Sequence, residues 1–133
     1  MRAQPSVEIG TEWGIVSARQ AGRDLSKEVG FSNVDQARIA TAISELARNI
    51  HLYAENGIIG LEVVEQGISK GVKIVASDEG PGIENLGEAM TDGYSSSNGL
   101  GAGLPGVKRL MDEFDIETEP GKGTVITAIK WLR

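Results

Sequence analysis

Three short segments carry residue types that fit a nucleotide. Asp78 ends the apolar run Lys73-Ile-Val-Ala-Ser77 and is followed by Glu79-Gly80-Pro81-Gly82. An ionised carboxylate only accepts hydrogen bonds, and the exocyclic amine of adenine donates them. Gly80 and Gly82 let the backbone pass close to a ligand. The same residues also suit a plain acidic turn, and taken alone the two readings are evenly matched. Gly99-Leu-Gly-Ala-Gly-Leu104 precedes Pro105-Gly106. Successive amides in glycine-rich turns form anion-binding nests, and a helix starting at Pro105 adds its N-terminal dipole. That arrangement favours phosphate over a loop without a ligand. Glu45 and Asn49 stand four residues apart in Ile43-Ser-Glu-Leu-Ala-Arg-Asn49, on one face of a helix. Their phase puts them on the rim of its apolar stripe, where a pocket wall would stand. Taken alone, such a pair is more often two solvated residues on a helix flank. Together the three segments would hold ATP with magnesium.

Competing chemistry finds less support. Gly101-Ala-Gly-Leu-Pro-Gly106 satisfies G-x-G-x-x-G, but a polar loop rather than a strand precedes it, which excludes the dinucleotide reading. Gly121-Lys-Gly-Thr124 lacks the spacing and following helix of a Walker A loop. The chain has no cysteine and one histidine, His51, so a structural zinc site is excluded. Ser95-Ser-Ser97 has no histidine nearby to activate it.

The elements that must position these groups are readable from periodicity. Val7–Ile9 reads as a strand, and Glu12–Val29 as a helix capped by Thr11, weakened by Gly14 and Gly22 and stopped by Gly30. Ser32-Asn-Val-Asp35 resembles a capping box. The helix after it runs to about Glu55, with Ile39, Ile43, Leu46, Ile50 and Tyr53 in one stripe and Asn56-Gly57 ending it. Ile59–Val64 and Val72–Ser77 form a hairpin through the polar loop Glu65–Gly71. Glu84–Thr91 is a short helix, and Asp92–Gly103 a long glycine-rich loop. A helix from Pro105 to about Met111 leads to strands Phe114–Thr118 and Thr124–Trp131, joined by Pro120-Gly-Lys-Gly123. Strands joined by tight turns imply an antiparallel or mixed sheet with helices on one face.

At 133 residues, one domain spanning 1–133 is expected. It is large enough to bury roughly two thirds of its unfolded surface without disulfides. The lack of cysteine fits a reducing compartment. A net charge of −6 argues against a broad nucleic-acid face, which needs surplus Lys and Arg. No run approaches the ~18 apolar residues of a membrane span, and Met1-Arg-Ala-Gln-Pro-Ser6 lacks a secretory apolar run. A cytoplasmic protein with no membrane and no nucleic-acid partner is the expectation.

In this order the motifs resemble the ATP-binding fold shared by gyrase, a heat-shock chaperone, histidine kinases and MutL (the GHKL superfamily). Glu45 and Asn49 match its N-box and Asp78-x-Gly80-x-Gly82 its first glycine box. Gly101-x-Gly103 matches the second box, and Gly121-x-Gly123-Thr124 the closing element, whose threonine lies near adenine. Each match is weak singly; four in register over most of the chain are strong. The resemblance implies an α+β class: a two-layer α/β sandwich, the Bergerat fold, with a mixed, mainly antiparallel sheet. The Glu-x-x-x-Asn form, the bare-domain length and Leu110-Met-Asp-Glu-Phe114 are similar to the bacterial anti-sigma-factor serine/threonine kinases. Within them, Ile43–Asn49, Gly99–Phe114 and Ala128–Arg133 resemble the switch kinases of the stressosome.

The resemblance implies phosphorylation of Ser or Thr on STAS-domain proteins of the stressosome, then binding and activation of a PP2C-type phosphatase. It also distributes roles. Asn49 supplies an oxygen to Mg²⁺. Glu45 is catalytic, orienting or deprotonating the substrate hydroxyl. Asp78 reads the adenine amine, with Gly80, Gly82 and Thr124 beside it. Gly99 and Leu100 lead into the phosphate-cradling amides of Gly101, Ala102, Gly103 and Leu104. Asp92–Gly99 acts as a lid. Lys108 and Arg109 either assist with phosphate charge or sit on the surface. An ATP-dependent binding module without essential transfer is the main alternative. A histidine kinase is disfavoured, because His51 lies two residues past Asn49 on the same helix.

Overall fold

The computed structural model describes residues 5–82 and 103–132. Its elements run β1 Ser6–Ile9, α1 Glu12–Val29, α2 Asn33–Tyr53, β2 Gly57–Gln66, β3 Ser69–Asp78, α3 Gly103–Leu110, β4 Glu113–Glu119 and β5 Gly123–Trp131. The strands form one five-stranded sheet in the order β1-β2-β3-β5-β4, every pairing antiparallel. The short helix expected over Glu84–Thr91 and the loop from Asp92 lie outside the described residues. Among those described, no helix is long and apolar enough to cross a membrane.

Local chemistry sets the helix ends. α1 stops at Gly30, whose φ of 111° only glycine adopts cheaply; its amide closes on the Lys27 and Ser26 carbonyls. Thr11 has extended backbone at the other end but makes no side-chain cap. Ser32 does cap α2, accepting from the Asp35 amide at 3.2 Å. The Asp35 carboxylate turns instead to Arg38, 2.9 Å away. α2 ends at Tyr53, earlier than expected, and the left-handed residue beyond it is Glu55 (φ 70°).

α1 is unbroken despite its two internal glycines, because they sit where it packs tightest. A Cβ on Gly14 would lie 2.6 Å from the Glu8 carbonyl oxygen, and one on Gly22 would overlap Ile43 Cδ1. The two helices cover one sheet face. Ile39, Ile43, Leu46 and Ile50 of α2 share a core with Ile9, Ile59, Leu61, Val72, Ile74, Ala76, Ile126 and Ala128 of the strands. Tyr53, assigned to the same stripe from sequence, is exposed in the last turn of α2. The alternate strand residues, among them Ile58, Glu62, Lys73, Glu117 and Val125, are half-buried or exposed on the other face.

The β2–β3 hairpin is longer than expected. Pairing runs from Gly57↔Asp78 to Gln66↔Ser69, leaving Gly67-Ile68 as a two-residue turn with Gly67 at φ 61°. The polar stretch read as a loop is strand that projects past the helices, so neither of its faces requires apolar residues.

Candidate functional site

Asp78 is the last residue of β3, paired with Gly57 on β2 and Thr124 on β5. Its Oδ1 accepts from the Gly80 amide at 2.9 Å, which turns the chain away from the sheet. Gly80 then passes the end of α2, where a Cβ would stand 2.6 Å from Ala54 Cβ. A Cβ on Gly57 would meet Ile50 Cγ2 at 2.8 Å and Asp78 Cβ at 3.1 Å. The α2 residue that follows Asn49 therefore shares a corner with Asp78.

The segment after Asp78 docks on the β4–β5 turn. Gly121 donates its amide to the Pro81 carbonyl at 2.8 Å. Gly82, at φ 76°, has no room for a Cβ beside the Glu119 carbonyl. Gly123, at φ 105°, has none beside the Asp78 carbonyl. The first glycine box and the closing element thus form one interlocked unit. Thr124 is buried, with its Oγ1 2.8 Å from Thr118 Oγ1, and Thr118 Oγ1 donates to the Gly123 carbonyl at 3.3 Å. A cleft of about 250 Å³ is lined here by Asp78, Thr118, Lys122, Gly123 and Thr124 among others.

Glu45 and Asn49 share a face of α2, but Glu45 lies deeper than its expected rim position. It is only 5% exposed, while Asn49 is half-buried. α2 packs against α1 and α3 as well as the sheet, which covers more of its circumference than its apolar stripe indicates. The Glu45 carboxylate accepts a hydrogen bond from the Arg48 guanidinium and forms an ion pair with it, Nη1 to Oε1 at 2.8 Å. His51 is half-buried, and among the described residues its Nδ1 has no partner.

α3 starts at Gly103, two residues before Pro105, with Gly103 at φ 66° and Leu104 buried. The first amides of a helix lack intrahelical partners and face an anion well. Gly103 and Leu104 are therefore the first two residues of the helix, which was expected to begin at Pro105. Gly99, Leu100, Gly101, Ala102 and the proposed lid, Asp92–Gly99, lie outside the described residues. Lys108 and Arg109 are exposed in the last turn of α3, at the far end from Gly103. Arg48 and Thr118 were not singled out from sequence. Both were within reach of it, one through i,i+3 spacing from Glu45, the other through hairpin register opposite Thr124.

Among the described residues no group of three His, Cys, Asp or Glu could hold a metal. A lone Asn oxygen with phosphate oxygens and water is the donor set Mg²⁺ accepts, so Asn49 fits a magnesium held mainly by nucleotide.

The model of the histidine kinase-, DNA gyrase B-, and HSP90-like ATPase family matches residues 34–133, and the chain belongs to that family. Over all 133 residues it is 62% identical to the serine/threonine-protein kinase RsbT of Bacillus subtilis (strain 168), with 100% of each chain covered. The anti-sigma F factor of Thermoanaerobacter sp. (strain X514) is 32% identical over 100 residues, covering 72% of this chain and 70% of that one. Among solved structures, the RsbU and RsbW domains of a Mycobacterium tuberculosis protein superpose with a TM-score of 0.63 at 21% identity. That match covers 97% of this chain and 33% of the longer one. The mycobacterial sensor histidine kinase MprB gives 0.55 at 15% identity, with 97% of each chain covered. These structural likenesses speak for the fold, the expected two-layer sandwich.

Proposed function

We propose that the chain, as one kinase domain over residues 1–133, transfers the γ-phosphate of ATP to a Ser or Thr hydroxyl of a STAS-domain protein of the stressosome. Once released from that complex it binds and activates a PP2C-type phosphatase, in the cytoplasm. The observation that carries the reading is the corner where Asp78 meets the α2 residue beside Asn49, with Glu45 one turn back on the same face. On this reading base recognition, metal ligation and a general base would be neighbours. The full-length likeness to a serine/threonine-protein kinase supports the same reaction.

Asp78 and Thr124 hold the adenine, and the amides at the start of α3 receive phosphate oxygens. Asn49 would hold Mg²⁺, which when bound neutralises charge on the phosphates. Glu45 orients the incoming hydroxyl and accepts its proton. The hydroxyl oxygen bonds to the γ-phosphorus, the bond from that phosphorus to the β,γ-bridging oxygen breaks, and ADP leaves.

Labelled ATP incubated with the chain and a STAS-domain partner tests this. Label on a partner serine or threonine, lost in Glu45→Gln, is the expected result. ATP-dependent complex formation with no label on the partner would mean a binding module.

A further inference from the structure

We propose that Arg48 is a positioning residue for phosphoryl transfer that acts through Glu45; the inference rests on reading Glu45 as the general base. The Glu45 side chain is 7% exposed and that of Arg48 31%. A carboxylate this deeply buried is costly unless it is paired and hydrogen-bonded. Arg48 meets that need, with Nη1 2.8 Å from Oε1. Among the described residues no second polar group bonds the carboxylate.

The pairing does more than neutralise charge. A glutamate has three side-chain torsions, and a free one samples many rotamers. Arg48 and Glu45 leave the same helix three residues apart, so the planar guanidinium holds the carboxylate from a rigid frame. With Oε1 engaged, the proton-accepting role falls to Oε2. A base so fixed loses no further freedom as the substrate hydroxyl arrives, and small displacements of a reacting group cost as much as ~100-fold in rate. The side chain of Arg48 is itself two-thirds buried, unlike a solvated helix charge.

The test is a double-mutant cycle on the full chain, measured as phosphotransfer to a STAS-domain partner. Arg48→Met is expected to lower kcat by roughly 10- to 100-fold while leaving the KM for ATP within about twofold. Arg48→Lys keeps the charge without the planar fork and is expected to recover part of the loss. In a Glu45→Gln background, Arg48→Met is expected to change kcat by less than about twofold, since residues acting as a unit are not additive. An equal fractional loss in both backgrounds would overturn the proposal, as would a raised KM with unchanged kcat, which marks a direct nucleotide contact. Wild-type transfer by Glu45→Gln alone would sink the general-base reading instead. Should Arg48→Met not fold, Arg48→Lys decides the matter: full wild-type kcat in that variant refutes positioning by the fork, and a kcat loss at unchanged melting temperature and KM supports it.

Discussion

Gly123 packs so closely on Asp78 that a single Cβ would overlap the Asp78 carbonyl oxygen and stand 2.9 Å from Glu79 Cα. The backbone of the closing element is thus seated on the residue proposed to read the base. Gly123→Ala faces that overlap and a φ of 105°, which alone costs about 1–3 kcal/mol. A melting temperature lowered by several degrees is expected, with ATP affinity reduced further than the loss of fold explains. Thermal unfolding with and without MgATP measures both.

Asp78→Asn retains an oxygen for the Gly80 amide, so the turn is expected to survive. It replaces a charged acceptor with a neutral amide at the proposed base site. Hydrogen bonds to charged groups contribute about 1.5–3 kcal/mol, so ATP affinity is expected to fall roughly 10- to 100-fold with the melting temperature of the ligand-free protein nearly unchanged. Calorimetric titration with MgATP checks it; undiminished affinity would remove Asp78 from the site.

Glu45→Gln is nearly isosteric and can still meet Arg48 through its amide oxygen. Its kcat for transfer is expected to drop by about 10²–10⁴, the usual contribution of a general base, while ATP still binds. Loss of ATP binding would make Glu45 a structural or metal residue.

Asn49→Ala removes the amide oxygen proposed to ligate the cation. Transfer is expected to fall below detection at millimolar Mg²⁺, and ATP binding is expected to lose most of its magnesium dependence. Titrating Mg²⁺ against bound nucleotide reads this out, and normal transfer in the variant would end the assignment.

Thr118→Val keeps the shape of the side chain and removes one hydroxyl from the chain Thr124–Thr118–Gly123. Without it the Thr124 hydroxyl reorients, and ATP affinity is expected to fall about fivefold, near 1 kcal/mol for one hydrogen bond. Thr118→Ser should restore it; no change in either variant would confine Thr118 to strand packing.

Much of this architecture is legible in the sequence. The 3.6-residue stripe of α2 from Ile39 to Ile50, the Ser32 cap and the Gly30 stop are local signals, and each is found where the sequence puts it; only Tyr53 leaves the stripe. Asp78 at the end of β3 follows from an apolar run ending in an acidic turn. Two kinds of information were not local. The depth of Glu45 depends on α1 and α3 packing around α2, which one helix's periodicity does not encode. The full reach of the β2–β3 hairpin, Gln66↔Ser69 included, was hidden because strand that projects beyond the helices has no apolar face to display. Thr118 falls between the two, since its partner follows from hairpin register but its hydrogen bond needs side-chain geometry.

The slot filled by β5 has a consequence for biosynthesis. β5 follows β4 in the chain, yet it lies inside the sheet, between β3 and β4. As the polypeptide leaves the ribosome, Asp78 emerges long before its neighbour Thr124. Until β5 arrives, the edge of β3 offers unpaired backbone groups, a state open to adventitious strand pairing. Contacts of such wide sequence separation form slowly. The proposed base site is therefore completed late in maturation, and a ligand that binds only the finished sheet would favour the seating of β5.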